Sequence, residues 1–276
     1  MGYNCFWKIP CRFRDLFYND HCRGCRGDQN RQTYDHSLML VTTKAIVISA
    51  IKYGEADLIV RCFTEEAGLK SYILQRILKS KKGKLRTAMF QPASQLELVA
   101  VHKDKGTLES IREAKVIQPY VSLHTDVLKS SVVLFLSEML RNAIQEEEEN
   151  RALYAFLEHA FLWFDLHEQT ANFHLLFLLE LTKYLGFYPD TSELHQPHFN
   201  LETGIFEPVE HFYSISEENL NTLKLLLGIN FDALFTIKLN QKRRADFINM
   251  LLAYYELHLH GFKKPKSLAV LSSLFN

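Results

Sequence analysis

The feature that most constrains this chain is a change of apolar period at Pro119. From Leu40 to Ile117, apolar side chains come in short, mostly alternating runs separated by turn residues. Beyond Pro119 they recur at spacings of three and four. An alternating run fits a half-buried strand, whereas the longer period fits a helix with one apolar face. The chain therefore reads as α+β, with a strand-rich part at 39–120 and a helical part at 121–276.

Five strands are expected in the first part. Val41–Ile51 alternates, with Ala45, Val47, Ser49 and Ile51 on one face and Lys44, Ile46 and Ile48 on the other. Tyr53-Gly54 breaks it. Asp57–Phe63, Leu69–Leu74, Gln95–His102 and Thr107–Ile117 follow, with turn signals at Thr64–Gly68 and Lys103–Gly106. Five short strands with one long loop after the third fit a small closed barrel of the OB type. An SH3-like barrel fits the count nearly as well. In the second part, helices are expected at Thr125–Ile144, Arg151–Leu166, Thr170–Leu185 (capped by Thr170), from Ser216, and at Gln241–His260. Gly186 and Gly261 are helix stops. Residues 190–213 are irregular, with a hairpin around Gly204.

Charge divides along the same line. The 276 residues carry 32 basic and 32 acidic side chains. Residues 39–120 hold 14 basic against 8 acidic, and residues 121–276 hold 12 against 20. The basic part is the one to test for nucleic acid. The hydrophobic fraction of 47% excludes a disordered chain. No apolar run reaches the ~18–20 residues of a membrane span, and the first residues lack a secretory h-region. A cytoplasmic, nucleoid-associated protein with no membrane partner is expected. Residues 1–38 have no periodic apolar face and read as a disordered or non-native extension. Their Cys5, Cys11, Cys22 and Cys25 are a poorly spaced zinc set.

Common catalytic motifs are absent: neither a phosphate-binding glycine loop, nor G-x-S-x-G, nor H-E-x-x-H occurs. This argues for a binding protein, not an enzyme, with no cofactor. His195, His198 and His211 share the irregular segment, but no cysteine lies beyond Cys62. No zinc is expected in the helical part.

The positive signal is Arg76, Lys79, Lys81, Lys82, Lys84 and Arg86, six cations within eleven residues and no acid among them. Such a cluster repels itself and calls for an anionic partner. Each cation that meets a phosphate releases a condensed counterion. Tyr72 and Phe90 flank the loop. Each fits the core better than a base-stacking role.

Lys44-Ala45-Ile46-Val47, Tyr53-Gly54-Glu55-Ala56-Asp57, Phe63-Thr64 and Gly68 resemble the opening of the RecO family of bacterial recombination mediators. Lys79-Ser80-Lys81-Lys82, Phe90-Gln91-Pro92, Tyr255-Glu256-Leu257-His258 and Lys266-Ser267-Leu268 are similar to its later motifs. The resemblance spans Met39 to Leu271. It implies an OB fold, then a helical domain with a zinc-ribbon-like insertion. It also implies binding of single- and double-stranded DNA, annealing, cooperation with RecR and help in loading RecA. Contact with the C-terminal tail of single-stranded DNA-binding protein is implied too, for which Arg141, Arg243 and Arg244 are the candidates. The insertion here has no cysteine, so Phe199, Leu201, Ile205 and Phe206 would form an apolar core in place of the metal. Two other readings share the same residues: an RNA- or tRNA-binding barrel, and a protein-interaction scaffold whose basic loop meets an acidic partner.

Overall fold

The computed structural model describes residues 39–80, 85–103, 108–144, 148–168 and 171–274. The readings made for residues 1–38 and for Thr170 fall outside them.

Five strands form where alternation places them: β1 (Met39–Tyr53), β2 (Asp57–Thr64), β3 (Gly68–Leu74), β4 (Gln95–His102) and β5 (Glu109–Gln118). They close into a barrel in the order β1-β2-β3-β5-β4. All neighbours are antiparallel except β3 and β5, which meet in parallel through Tyr72↔Glu109 and Ile73↔Ser110. Closure depends on β1 serving two partners. Its first half pairs with β4 and its second with β2. The register slips between Val47 and Ser49. A bulge adds twist there and bends the strand from one neighbour to the next.

Both faces of β1 are used. Ala45 and Val47 pack inside the barrel with Val60, Cys62, Tyr72, Leu96 and Leu98. Burial pushes the Cys62 thiol far up, which leaves it inert as a nucleophile. Tyr72 and Phe90 are 0% and 1% exposed, so both are core and neither can stack on a base. Ile46 and Ile48, with Phe63, Leu69 and Ala93, turn outward into the apolar cluster of the helices. The core therefore runs across Pro119 without a break.

The helices are α1 (Val127–Ala143), α2 (Arg151–Leu166) and α3 (Phe173–Leu185). A hairpin of β6 (His198–Asn200) and β7 (Ile205–Glu207) follows, then α4 (Glu217–Leu226), α5 (Gln241–His258) and α6 (Leu268–Leu274). Asp126, Asn150, Ser216 and Asn240 each accept a first-turn N–H at the helix start. α3 differs from expectation: it begins at Phe173, three residues late. Asn172 stands at its N-cap position, but its Nδ2 donates to Ile237 O at 2.7 Å instead of the side chain capping the helix. α3 carries the unbroken apolar run Leu175–Leu179 and is buried on nearly every side, as a central helix requires.

Polar contacts also join barrel to helices. Gln95 Nε2 donates to Tyr120 Oη at 2.9 Å and to Glu158 O at 3.0 Å. Tyr120 Oη donates in turn to Ala93 O at 3.0 Å. Asp165, 3% exposed, takes the backbone N–H groups of Val121, Ser122 and Leu123 at 2.7–2.8 Å. Lys129 Nζ donates beside it to Ser122 Oγ and to Asp165 O.

The insertion has the apolar core expected of it in part. Phe199 and Phe206 are buried with ring centroids 4.8 Å apart, and Leu201 is half-buried. Ile205 is 39% exposed, which corrects its assignment to that core. On so short a hairpin its neighbour Phe206 takes the inward face, so Ile205 points away. Gly204 is the tight point. Its φ is +70°, and a Cβ there would sit 2.6 Å from Tyr254 Oη. That hydroxyl is held by Phe187 O at 2.7 Å and cannot easily retreat. Gly204→Ala should therefore lower stability by about 2–4 kcal/mol, from strain plus the clash. Urea unfolding of the full chain checks this; a loss below about 0.5 kcal/mol would mean the hairpin yields freely.

Candidate nucleic-acid interface

The basic loop leaves β3 at Gln75 and returns to β4 through a short 3-10 turn, Thr87–Phe90. Its first turn is fastened to the β1–β2 connection. Arg76 N donates to Asp57 Oδ1 at 2.8 Å, and Leu78 N donates to Ala56 O at 3.0 Å. Lys79 Nζ meets Glu55 Oε2 at 3.1 Å. Arg76 adopts a φ of +57°, which costs a non-glycine residue about 1 kcal/mol. The bond to Asp57 offsets it. Ile77, 6% exposed, drops into the barrel core and pins the loop from below. The Tyr53–Asp57 motif is thus the seat of the cationic loop.

Of the six cations, Arg76, Lys79 and Arg86 are exposed. Lys81, Lys82 and Lys84 lie outside the described residues. The Lys79–Glu55 pair is open to solvent, with the side chains 63% and 90% exposed. Such a pair is worth little and gives way to a phosphate at small cost.

The sheet face beside the loop continues the site. Ser49, Arg61 and Ser71 are cross-strand neighbours on one row, and Ile51, Ile59 and Ile73 form the next. Directly paired residues share a face. The slip between Val47 and Ser49 turns Ser49 and Ile51 away from the face of Ala45 and Val47, which corrects their expected side and puts both rows outside the barrel. Ile51 and Tyr53 are 52% and 55% exposed. Not every barrel cation belongs here. Lys44 reaches Glu158 of α2 at 3.8 Å and ties the barrel to the helices. Lys52 and Lys103 are exposed, and Lys105 lies outside the described residues.

Two contributors escape a search for clustered charge. One is the acidic anchor set, Glu55 and Asp57, whose value is positional. The other is Arg112 on β5, isolated in sequence and exposed beside buried Ile111. Only the alternation of β5 marks it as outward-facing.

The partner candidates do not converge on one feature. Arg141 pairs with Glu138 across one turn of α1 at 3.4 Å. Arg243 is exposed and lines a cleft of about 580 Å³ with Ser216, Glu218 and Asp246. Arg244 turns inward and donates Nη1 to Leu239 O at 2.5 Å. Two of the three candidate histidines of the insertion pair with carboxylates, His195 with Glu193 at 3.4 Å and His211 with Glu207 at 3.1 Å, while His198 starts β6. Among the described residues, no three His, Cys, Asp or Glu side chains stand together as a metal set. Nor is any described helix long and apolar enough to cross a membrane.

Comparison with known proteins follows this geometry. The family description "Recombination protein O N terminal" matches residues 39–120, and "Recombination protein O C terminal" matches residues 124–269. The chain belongs to the RecO family. It is 54% identical over 238 residues to the DNA repair protein RecO of Christiangramia forsetii, covering 86% of this chain and 100% of the relative. It is 50% identical, with the same coverage, to that of Flavobacterium psychrophilum. A more distant RecO, from Bacteroides fragilis, is 36% identical over 243 residues. The boundary between the two RecO descriptions falls at residues 120–124, beside the Asp165 anchor.

Proposed function

We propose that this RecO-family chain is a non-catalytic DNA-binding mediator of recombinational repair. It would capture single- and double-stranded DNA by phosphate contact, anneal complementary strands, and help load RecA together with RecR. The observation that carries the reading is the seat of the basic loop. The Tyr53–Asp57 turn holds Arg76, Leu78 and Lys79 at one end of the barrel, beside the outer face of β1, β2 and β3. The strand order, with β3 parallel to β5, supports the OB-type reading of that barrel. Phosphate contacts position a nucleic acid without reading its sequence, which suits an annealing protein. Two captured strands lose much of the repulsion between their backbones. The contact with the acidic tail of single-stranded DNA-binding protein belongs to the same reading. Arg243 is its best-placed candidate, with Arg141 and Arg244 engaged elsewhere.

A salt titration tests the reading. Four phosphate contacts at about 0.7 each give the loop a share of roughly 2.8 in the log–log slope for a single strand. Changing Lys79, Lys81, Lys82 and Lys84 together to Ala should flatten the slope by about that much. Affinity should fall almost uniformly across DNA sequences, and annealing with it. Stability should move by less than about 0.5 kcal/mol per site. An unchanged slope in a folded variant would remove the loop from the DNA path. A preference for structured RNA would favour the RNA-binding alternative, and no DNA binding at low salt would favour the protein scaffold.

A further inference from the structure

We infer that the outward face of α2 receives a second copy of this chain, packed antiparallel about a two-fold axis. This surface plays no part in the DNA reading above. α2 is apolar on two sides. One side, with Leu153, Leu157, Phe161 and Phe164, belongs to the core. The other carries Ala152, Ala155, His159, Leu162 and Leu166, at steps of three, four, three and four. Ala152, Ala155, His159 and Leu166 are exposed, Leu166 at 63%, and Leu162 is half-buried. A surface helix ordinarily turns charge to water on such a side. α2 has three charged residues, and each is placed elsewhere. Glu158 reaches Lys44 of the barrel, Asp165 is buried under the linker, and Arg151 pairs with Glu149 at the helix start. Beside the row, the half-buried rings of Phe156 and Trp163 both stack on Phe231, with centroids 6.3 and 5.4 Å away.

Steps of three and four are the spacing at which one helix packs its side chains against another. No described element of this chain covers the row. Its gradient of size selects a second copy as the occupant. The first half is small, Ala152 and Ala155, and the second half is large, Leu162 and Leu166. Two such helices laid antiparallel set each large half against the small half of the other. With the axis midway between His159 and Leu162, Ala155 faces Leu166 of the other copy, and His159 faces its Leu162. A two-fold dimer requires a self-complementary patch of this kind. Charge agrees with it. Residues 121–276 hold 12 basic against 20 acidic side chains, so two copies repel across most of the helical part. The α2 row brings no acid to the contact. Its polar member, His159, donates from Nδ1 to Ala155 O at 2.6 Å. One polar residue in an apolar row fixes register at some cost in stability. The helix has 16 residues, so the face is about 24 Å long. That is too small for the roughly 800 Å² per partner of a stable complex, so the dimer is weak and reversible.

Sedimentation equilibrium of the full chain tests this. The average mass should rise from that of one chain towards that of two over roughly 10–500 µM, the range of a small interface. Ala155→Glu or Leu166→Lys alone should weaken association roughly tenfold, since each sets a charge against an apolar neighbour. The double variant should return to within about threefold of wild type, because each new carboxylate then meets the new ammonium of the other copy. Within one chain the two positions lie three turns apart, about 16 Å, and cannot pair, so the rescue reports contact between copies alone. Both sites are exposed, and the variants should fold. If one does not, carbene footprinting of the wild type decides: labelling of Trp163 and Leu166 should fall as concentration rises. A one-chain mass at every concentration would overturn the dimer. Association that neither single variant weakens, a double variant no better than the singles, or labelling of Leu166 that ignores concentration would overturn the antiparallel α2 contact.

Discussion

Asp165→Ala should cost this protein on the order of 3–5 kcal/mol, the largest loss expected from one substitution outside the apolar core. The change strands the N–H groups of Val121, Ser122 and Leu123, which the carboxylate now holds at 2.7–2.8 Å. Each orphaned buried donor costs about 1–3 kcal/mol. For a protein of this size, the thermal midpoint should fall by roughly 8–15 °C. The effect should carry a pH signature. Burial alone would raise the Asp165 pKa, but the three backbone N–H groups and the Ser122 hydroxyl outweigh it and hold it below the ordinary 3.8. A folded pKa below the unfolded one contributes stability above pH 3.8, and that contribution is lost as pH falls through the lowered folded value. Wild type should therefore lose stability below about pH 4 more steeply than Asp165→Asn. Parallel acid limbs for the two proteins would show that the carboxylate's charge is not what the linker uses. The segment held by Asp165 is the connection between the strands and the helices, so the barrel should lose its fixed footing on the helices in the Ala variant.

The second large effect belongs to His174. Its ring lies in the core on α3, 2% exposed and edge-on to Phe135. Burial, and to a lesser extent the nearby Arg244 guanidinium, pushes its pKa down to about 3. In the unfolded chain the group titrates near 6.5. Between those values the unfolded state binds a proton that the folded state refuses. Stability must then fall as pH drops from about 6.5 towards 3, by up to about 1.4 kcal/mol per pH unit from this one residue. Urea unfolding at pH 7, 5.5 and 4.5 should show this slope in the wild type, at about that order. It should show correspondingly less in His174→Gln. Equal slopes in both proteins would mean that His174 takes up its proton without unfolding. A packing defect in the Gln variant lowers stability alike at every pH and leaves the difference in slope unchanged.

Much of the fold was legible because local pattern and final environment agreed. Alternation placed β2 and β4, and the stops at Gly186 and Gly261 fell where φ is +84° and +74°. α2 spans Arg151–Leu166, as its apolar spacing implied, and Ser216 caps α4. These are properties of a few consecutive residues, so a few consecutive residues reveal them. The cationic loop was legible for the same reason: charge density needs no tertiary information.

Other features came into view only with the chain folded. Alternation assigned Ile46 and Ile48 to one face of β1 and Ala45 and Val47 to the other, but period two does not say that both faces are buried. The second face is covered by helices whose residues lie about a hundred positions away. The delayed start of α3 depended on Ile237, which claims the Asn172 side chain. Nothing local marks Glu55 and Asp57 as anchors; the loop returns to them from some 20 residues downstream. The Asp165 anchor joins residues more than 40 apart. Sequence by itself thus determined the elements, the charged loop and the family, since each rests on near neighbours or on ordered motifs. Tertiary structure alone decided what the loop is seated on and which aromatic side chains are unavailable to a ligand, because those depend on contacts between residues that are distant in the chain.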